Sequence, residues 1–426
     1  MATITGTDSD DLILLGTGAN DYIYGLGGND GMVGGGGNDF LEGGTGADIH
    51  DGGAGMDTAS YADSTAAVLV NLVAGGLGGS AEGDSYFSIE NVTGSVYGDL
   101  IIGDDFANRI EGYAGDDFLY GEGGDDTILD VGGSTYAYGG EGNDYIWGMT
   151  GTSALFGGEG NDVIYSDEGN DTLDGGAGQD ALAGRNGNDF LKGGSDDDVL
   201  SGNQGVDVLT GGSGNDSLWG GQDADQLFGN SGIDTAEYLE SDGGVIVNLG
   251  TRTGSGAFAE GDTLSSIENL KGSSFGDRLI GNNVANRLEG DDGNDVLTGG
   301  GGADLLFGSN GADTYTGGTG ADEFVMWGDF TGVDRFTDFT TGSDKILVVA
   351  STFGGGLSAG QQLRGRFQSN ATGIAEDAND RFIYNTSNGA LYFDVDGTGA
   401  AQGQLLARFL SLSTSLVSTD LELVGW

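Results

Sequence analysis

Gly157-Gly158-Glu159-Gly160-Asn161-Asp162-Val163-Ile164-Tyr165 is the stretch on which the fold turns. A glycine-rich bend closes on an aspartate, and an apolar residue follows two places later. The same bend returns as Gly211-Gly212-Ser213-Gly214-Asn215-Asp216. Stepping by nine from Asp99 to Asp234 visits sixteen positions, and thirteen are aspartate: Asp99, Asp117, Asp126, Asp144, Asp162, Asp171, Asp180, Asp189, Asp198, Asp207, Asp216, Asp225 and Asp234. Asn108, Thr135 and Ser153 fill the others. An irregular globular core has no reason to keep such a period, whereas a solenoid repeats one turn in every coil.

Each part of the nonapeptide has a physical task. The glycines permit positive φ and let backbone carbonyls approach one another. The aspartate adds a charged oxygen, so stacked bends offer the all-oxygen shell that a hard cation such as calcium requires. The apolar residue then points inward. From Leu119 through Ile128, Ala137, Ile146, Leu155, Ile164, Leu173, Leu182, Leu191, Leu200, Leu209 and Leu218 to Leu227, every such position is apolar and is expected in the core. Two units make a coil of about 18 residues, with parallel strands stacked at roughly 4.8 Å. The expected fold is all-β: a right-handed parallel β-roll in several blocks. The longest register implies about eight coils, a rod near 40 Å long at that spacing.

The period divides the chain. A first block (1–57) holds Asp21, Asp30, Asp39, Asp48 and Asp57, with Asp11 one residue out of phase. The main roll spans 99–234, and a third block (277–322) holds Asp277, Asn286, Asp295, Asp304, Asp313 and Asp322. Two inserts, 58–98 and 235–276, separate them and match each other. Ala59-Ser60-Tyr61, Val70-Asn71-Leu72, Ala81-Glu82-Gly83-Asp84 and Ser88-Ile89-Glu90-Asn91 return as Ala236-Glu237-Tyr238, Val247-Asn248-Leu249, Ala259-Glu260-Gly261-Asp262 and Ser266-Ile267-Glu268-Asn269. The second copy has gained a single residue between the Val-Asn-Leu and Ala-Glu-Gly-Asp motifs, and the pair reads as an internal duplication. The inserts are expected to continue the solenoid as wider coils. Residues 323–426 lose the period and gain large apolar residues (Phe324, Val325, Trp327, Phe330, Phe336, Phe339), as an end cap would.

With these motifs the chain resembles the repeats-in-toxin (RTX) proteins, which carry hemolysin-type calcium-binding nonapeptides. The stretch Asp334-Arg335-Phe336-Thr337-Asp338-Phe339-Thr340-Thr341-Gly342-Ser343-Asp344-Lys345-Ile346 resembles the C-terminal cap of that family. The tail from Arg381 to Trp426 is similar to its secretion-competent end. The resemblance implies calcium held between successive turns by Asp carboxylates and turn carbonyls, export through type I secretion machinery, and folding on extracellular calcium. It makes ligand candidates of all the block aspartates named above, from Asp21 to Asp322. It also implies a secreted or cell-surface protein of a Gram-negative bacterium.

Composition points the same way. Sixty-eight acidic and 13 basic residues give a net charge of −55, so the ion-free chain repels itself and binding free energy becomes folding free energy. Nucleic acid is excluded as a partner because its phosphates would be repelled. The chain has no cysteine and no proline. Residues Met1–Asp8 lack the basic and apolar regions of a Sec signal peptide. No apolar run reaches the ~20 residues of a membrane span.

Catalysis is not expected. His50, the only histidine, occupies an inward position two residues after Asp48, and is expected in the core. The nucleophile-elbow pattern Gly272-Ser273-Ser274-Phe275-Gly276 arises easily among 91 glycines. Asp394-Val395-Asp396-Gly397-Thr398-Gly399 resembles an EF-hand opening, but Leu405 stands where its twelfth-position Glu should be, so a hairpin turn is expected. Thr135 and Ser153 are two nonapeptides apart, on one edge, and predict a two-coil gap in one calcium column that could open a groove. The leading functional expectation is a structural or surface role: matrix, surface layer or filament, assembled by self-association. The alternatives are a module binding cell-surface polysaccharide, against which exposed aromatic rows look sparse in the sequence, and a non-catalytic export domain.

Overall fold

The computed structural model describes residues 1–328, 331–397, 403–410 and 415–425; Phe330, Thr398, Gly399 and Trp426 lie outside them. The chain forms two compact units, Met1–Asp216 and Ser217–Trp426. Both are all-β parallel solenoids.

In the first unit each nonapeptide contributes one short strand, and successive strands alternate between two sheets. Partners within a sheet are parallel and lie two nonapeptides apart, as Thr127 opposite Tyr145 and Tyr145 opposite Val163. One sheet stacks Val92, Ile110, Ile128, Ile146, Ile164, Leu182 and Leu200. The other stacks Ile101, Leu119, Ala137, Leu155, Leu173, Leu191 and Leu209. All are buried. One fully buried Leu or Ile contributes about 1.5–3 kcal/mol, so a single inward residue per strand sustains the core only through its repetition.

In the bend that ends at Asp162, two glycines sit where a Cβ would clash. A Cβ on Gly157 would lie 2.0 Å from Oδ2 of Asp162. Gly158 has φ 126°, and its Cβ would lie 2.2 Å from the carbonyl oxygen of Gly140 in the preceding coil. The first glycine therefore makes room for the carboxylate, and the second makes room for the turn stacked on it.

The inserts are lengthened coils. Strand Thr58–Ser60 pairs with Asn91–Thr93, and Thr235–Glu237 pairs with Asn269–Lys271. In each case the chain between partners is nearly twice that of an ordinary coil. The extra length is spent on the opposite sheet. There Leu69–Asn71 runs antiparallel to Gly75–Leu77, and Ile246–Asn248 runs antiparallel to Thr253–Ser255. The outer strands rejoin parallel neighbours, Leu69–Asn71 on Leu100–Ile102 and Ile246–Asn248 on Arg278–Ile280. Each excursion stays inside the roll as an antiparallel hairpin.

In the second unit the period relaxes towards the C-terminal cap. Leu306 pairs with Phe324 in the regular step of two nonapeptides, but Phe324 pairs with Ile346, four places beyond where the period would put its partner. Aromatic residues fill the wider interior: Phe336 stacks on Phe409 with ring centroids 4.7 Å apart, and Tyr315 stacks on Phe336 at 5.1 Å. Antiparallel strands Phe382–Asn385, Ala390–Phe393 and Gln404–Phe409 close this end. Asp394 follows the second of these strands, and its Oδ1 accepts the Gly397 N–H at 2.9 Å; the rest of the expected hairpin turn, Thr398 and Gly399, lies outside the described residues. Strand Leu421–Val424 returns to pair with Lys345–Val349. Among the described residues no helix is long and apolar enough to cross a membrane.

Candidate metal centres

The nonapeptide aspartates form ladders along the edges of the roll. Where the register is unbroken, the backbone N–H of one aspartate donates to Oδ1 of the aspartate one coil on: Asp126 to Asp144, Asp144 to Asp162 and Asp162 to Asp180 at 2.8 Å, Asp180 to Asp198 at 2.9 Å. Asp171 to Asp189 and Asp189 to Asp207, both at 2.8 Å, form the second edge. Asp21, Asp30 and Asp39 do the same towards Asp39, Asp48 and Asp57. In the second unit Asp277, Asp295 and Asp304 donate to Asp295, Asp313 and Asp322. Asp11 joins despite its displaced phase, donating to Asp30 at 2.8 Å, because the first strands pair with one extra residue between them, Thr3 opposite Tyr22.

The other carboxylate oxygen separates the candidates into two kinds. Oδ2 of Asp30, Asp39, Asp48, Asp57, Asp126, Asp144, Asp162, Asp180, Asp189, Asp198, Asp295, Asp304 and Asp322 is buried with no hydrogen-bond partner. Leaving so many charged acceptors dry and unpaired is costly. Burial accordingly pushes these carboxyls up: Asp144, Asp162, Asp180 and Asp189 to about 6, Asp126 and Asp198 to about 7, and Asp295 to about 8, with neighbouring carboxylates adding to the effect. A column of unpaired anionic oxygens beside stacked turn carbonyls is a donor set that fits calcium.

Asp21, Asp99 and Asp277 are different. Their second oxygens are already capped: Asp21 by the Thr17 N–H at 2.7 Å and hydroxyl at 2.6 Å, Asp99 by the Ser95 N–H at 2.5 Å, and Asp277 by the Ser273 N–H at 2.6 Å. In each, a hydroxyl residue replaces the second glycine of the bend, giving Gly-Ser/Thr-x-x-x-Asp. The elbow-like Gly272–Gly276 stretch is one of these self-capped turns. Asn108 and Asn286 also close their turns by hydrogen bonds, their Oδ1 atoms accepting the Asp104 and Asn282 N–H at 2.8 Å, and their amides donate to the carbonyls of Glu90 and Glu268 in the preceding coil.

Several ladder members escaped the nine-residue step. Asp84 and Asp262 accept from Asp48 and Asp225 at 2.8 and 2.9 Å, and Glu90 and Glu268 accept from Asp57 and Asp234. Asp334 and Asp344 carry the ladders into the cap. The inserts displaced these residues from the register, yet the repeated Ala-Glu-Gly-Asp motif marked two of them.

The gap at Thr135 and Ser153 is not a groove, since both residues are buried. Thr135 donates its hydroxyl to Asp130 at 2.7 Å, and Asp130 is buried at the position of the first turn glycine. Oδ2 of Asp117 and Cγ of Asp130 lie 2.6 and 3.2 Å from where a Gly112 Cβ would sit. The carboxylate that Thr135 lacks is in effect supplied from Asp130, earlier in the same turn. Burial and the Asp130 carboxylate raise Asp117 to about 7. Only Ser153 leaves the column without a carboxylate.

The sequence profile of the RTX calcium-binding nonapeptide repeat (four copies) matches residues 5–41, 24–59, 93–128, 132–152, 138–173, 150–182, 174–209, 201–236, 271–306 and 289–324, together more than half of the chain. Among curated proteins none matches it.

Proposed function

The chain belongs to the RTX family of calcium-binding nonapeptide repeat proteins and binds calcium at multiple sites, and from that premise we propose that it is a secreted, non-catalytic scaffold ordered by extracellular calcium. Its role would be structural: matrix, surface layer or filament. The observation that carries this reading is the column of buried Oδ2 atoms with no partner. These atoms would hold the ions, with Asp21, Asp99 and Asp277 left to their hydroxyl caps. Bound calcium supplies positive charge to oxygens that otherwise face one another dry. The protein's own residues fix the spacing: each backbone N–H locks the next Oδ1, and the turn glycines keep Oδ2 clear of any Cβ. Export by type I machinery accords with a chain that must stay unfolded until it meets calcium.

Circular dichroism across a calcium titration, with sedimentation and electron microscopy of the same samples, tests the proposal. Calcium should produce β-structure and then assembled particles. A chain fully ordered in excess chelator would refute the calcium step, and a calcium-folded chain that stays monomeric at all concentrations would refute the scaffold role.

A second reading, a module for neutral polysaccharide, is favoured by one feature of the first unit. The roll brings into rows aromatics that look scattered in the sequence. Phe118 and Tyr136 occupy one column, and Tyr120, Tyr138 and Phe156 the adjacent one. Phe118 is 50% exposed and Tyr138 40%, and ring centroids run 5.3–5.9 Å apart. Such a strip suits stacking on sugar rings, while the acidic surface disfavours polyanions. A glycan array showing binding that Tyr136→Ala abolishes would establish it; no binding to any neutral glycan would remove it.

A further inference from the structure

In one coil of the first unit the inward apolar position holds a histidine, and two buried carboxylates converge on it. Asp48, His50 and Asp84 each offer an atom within 4.8 Å of the others, and all three side chains are buried. His50 Nε2 lies 3.2 Å from Asp84 Oδ2. Tyr61 donates its hydroxyl to that same oxygen at 2.8 Å and contacts the hydroxyl of Tyr86. Two atoms of the cluster have no hydrogen-bond partner at all: Asp48 Oδ2 and His50 Nδ1.

The second insert supplies an internal comparison. Asp225, Tyr238 and Asp262 stand where the first has Asp48, Tyr61 and Asp84, and Tyr238 donates to Asp262 at 2.9 Å in the same way. His50 and Tyr86 are replaced there by Leu227 and Leu264. These are paired positions on adjacent strands in both copies, His50 with Tyr86 and Leu227 with Leu264. The apolar pair shows that the roll closes without either polar residue. The first copy therefore carries a nitrogen donor, with its polar neighbour, that the fold itself does not require.

We propose that His50 and Asp84 take Asp48 out of the calcium column, and that the three bind one transition-metal ion of the zinc class, distinct in kind from the calcium of the other turns. Calcium takes oxygen ligands, whereas zinc accepts imidazole nitrogen together with carboxylate oxygen. Zinc bonds of ~2.0–2.1 Å place neighbouring tetrahedral ligands roughly 3.3 Å apart. The 3.2 Å Nε2–Oδ2 separation is close to that edge and longer than the ~2.7–2.9 Å of a charge-assisted hydrogen bond. Two carboxylates and a neutral imidazole also neutralise a divalent ion. Tyr61 orients Asp84 from behind, the part that partners of metal ligands generally play. The inference rests on the calcium-folded roll, because residues 48 and 84 meet only once their coils stack; the ion is enclosed during folding.

The full chain is refolded in saturating calcium with zinc chloride, gel-filtered, and its retained metal counted. One zinc per chain is expected, and cobalt(II) in its place should show the visible bands of a tetrahedral site with a nitrogen ligand. His50→Leu, which copies Leu227, should fold on calcium as before and retain none. A calcium-folded wild type that keeps neither zinc nor cobalt overturns the proposal and leaves the calcium reading standing. So does a His50→Leu variant that keeps as much metal as wild type. Should that variant not fold, the wild-type cobalt spectrum decides: an all-oxygen octahedral spectrum overturns the site. Failure to fold in calcium at all would instead strike the proposed function.

Discussion

At the residue scale, the aspartates of one period divide by what stands four places before them. A residue without a hydroxyl there leaves Oδ2 unpaired, whether glycine, as at Gly158 and Asp162, or not, as at Arg185 and Asp189. A hydroxyl residue there satisfies it, as at Asp99, whose Oδ2 accepts the Ser95 N–H while the Ser95 hydroxyl donates to Oδ1. The two kinds should respond differently to the same substitution. Asp162→Asn keeps an oxygen for the ladder bond but removes the charge from an unpaired site. Calcium stoichiometry should fall, and the midpoint of calcium-induced folding should rise. Interactions of charged ligands are worth about 1.5–3 kcal/mol, so affinity at the altered site should drop roughly ten- to hundredfold. Asp99→Asn should leave stoichiometry unchanged, since Ser95 and Val68 already occupy that carboxylate. Calorimetric titration of both variants is the check; equal losses of calcium would show that the hydroxyl cap does not displace the ion.

At the scale of elements, the strand alternation, the register of two nonapeptides per coil and the inward residues from Leu119 to Leu209 were legible because one short motif encodes a whole half-coil. Repetition turned a weak local signal into a definite one. The inserts show where this fails. Their duplication was plain, but Gly75–Leu77 and Thr253–Ser255 carry too few side chains to announce antiparallel strands. Glu90 and Glu268 reach the ladder with a longer side chain from a shifted backbone, so no fixed step would find them. Asp130 was hidden differently: it occupies a glycine's place, and only the stacked turns show its carboxylate meeting that of Asp117. The aromatic strip was invisible for a related reason. Phe118, Tyr136 and Phe156 look unrelated until the stacked coils place them side by side. The cap was recognisable as an ending, but the return of Leu421–Val424 onto Lys345–Val349 depends on contacts between segments far apart in sequence, which no local pattern encodes.

For the molecule as a whole, two electrostatic burdens oppose folding, and they differ in how ions relieve them. A net charge of −55 is a diffuse burden that any salt screens, with a Debye length near 3 Å at 1 M. The buried, unpaired Oδ2 atoms are a local burden that screening does not reach, because no mobile ion is in contact with them. Only a cation that sheds its water and accepts several protein oxygens can relieve the second. Magnesium has the same charge as calcium, but it demands short octahedral bonds and dehydrates reluctantly, whereas calcium tolerates six to eight oxygens in irregular geometry. Three titrations followed by circular dichroism should therefore separate. Sodium chloride to about 1 M should compact the chelated chain without producing the β-spectrum. Magnesium at millimolar concentration should do little more, and calcium at the same concentration should complete the transition. If sodium chloride alone drove full folding, diffuse repulsion would be the only obstacle and the unpaired oxygens would not be metal ligands. If magnesium matched calcium, the turns would be selecting charge and not coordination.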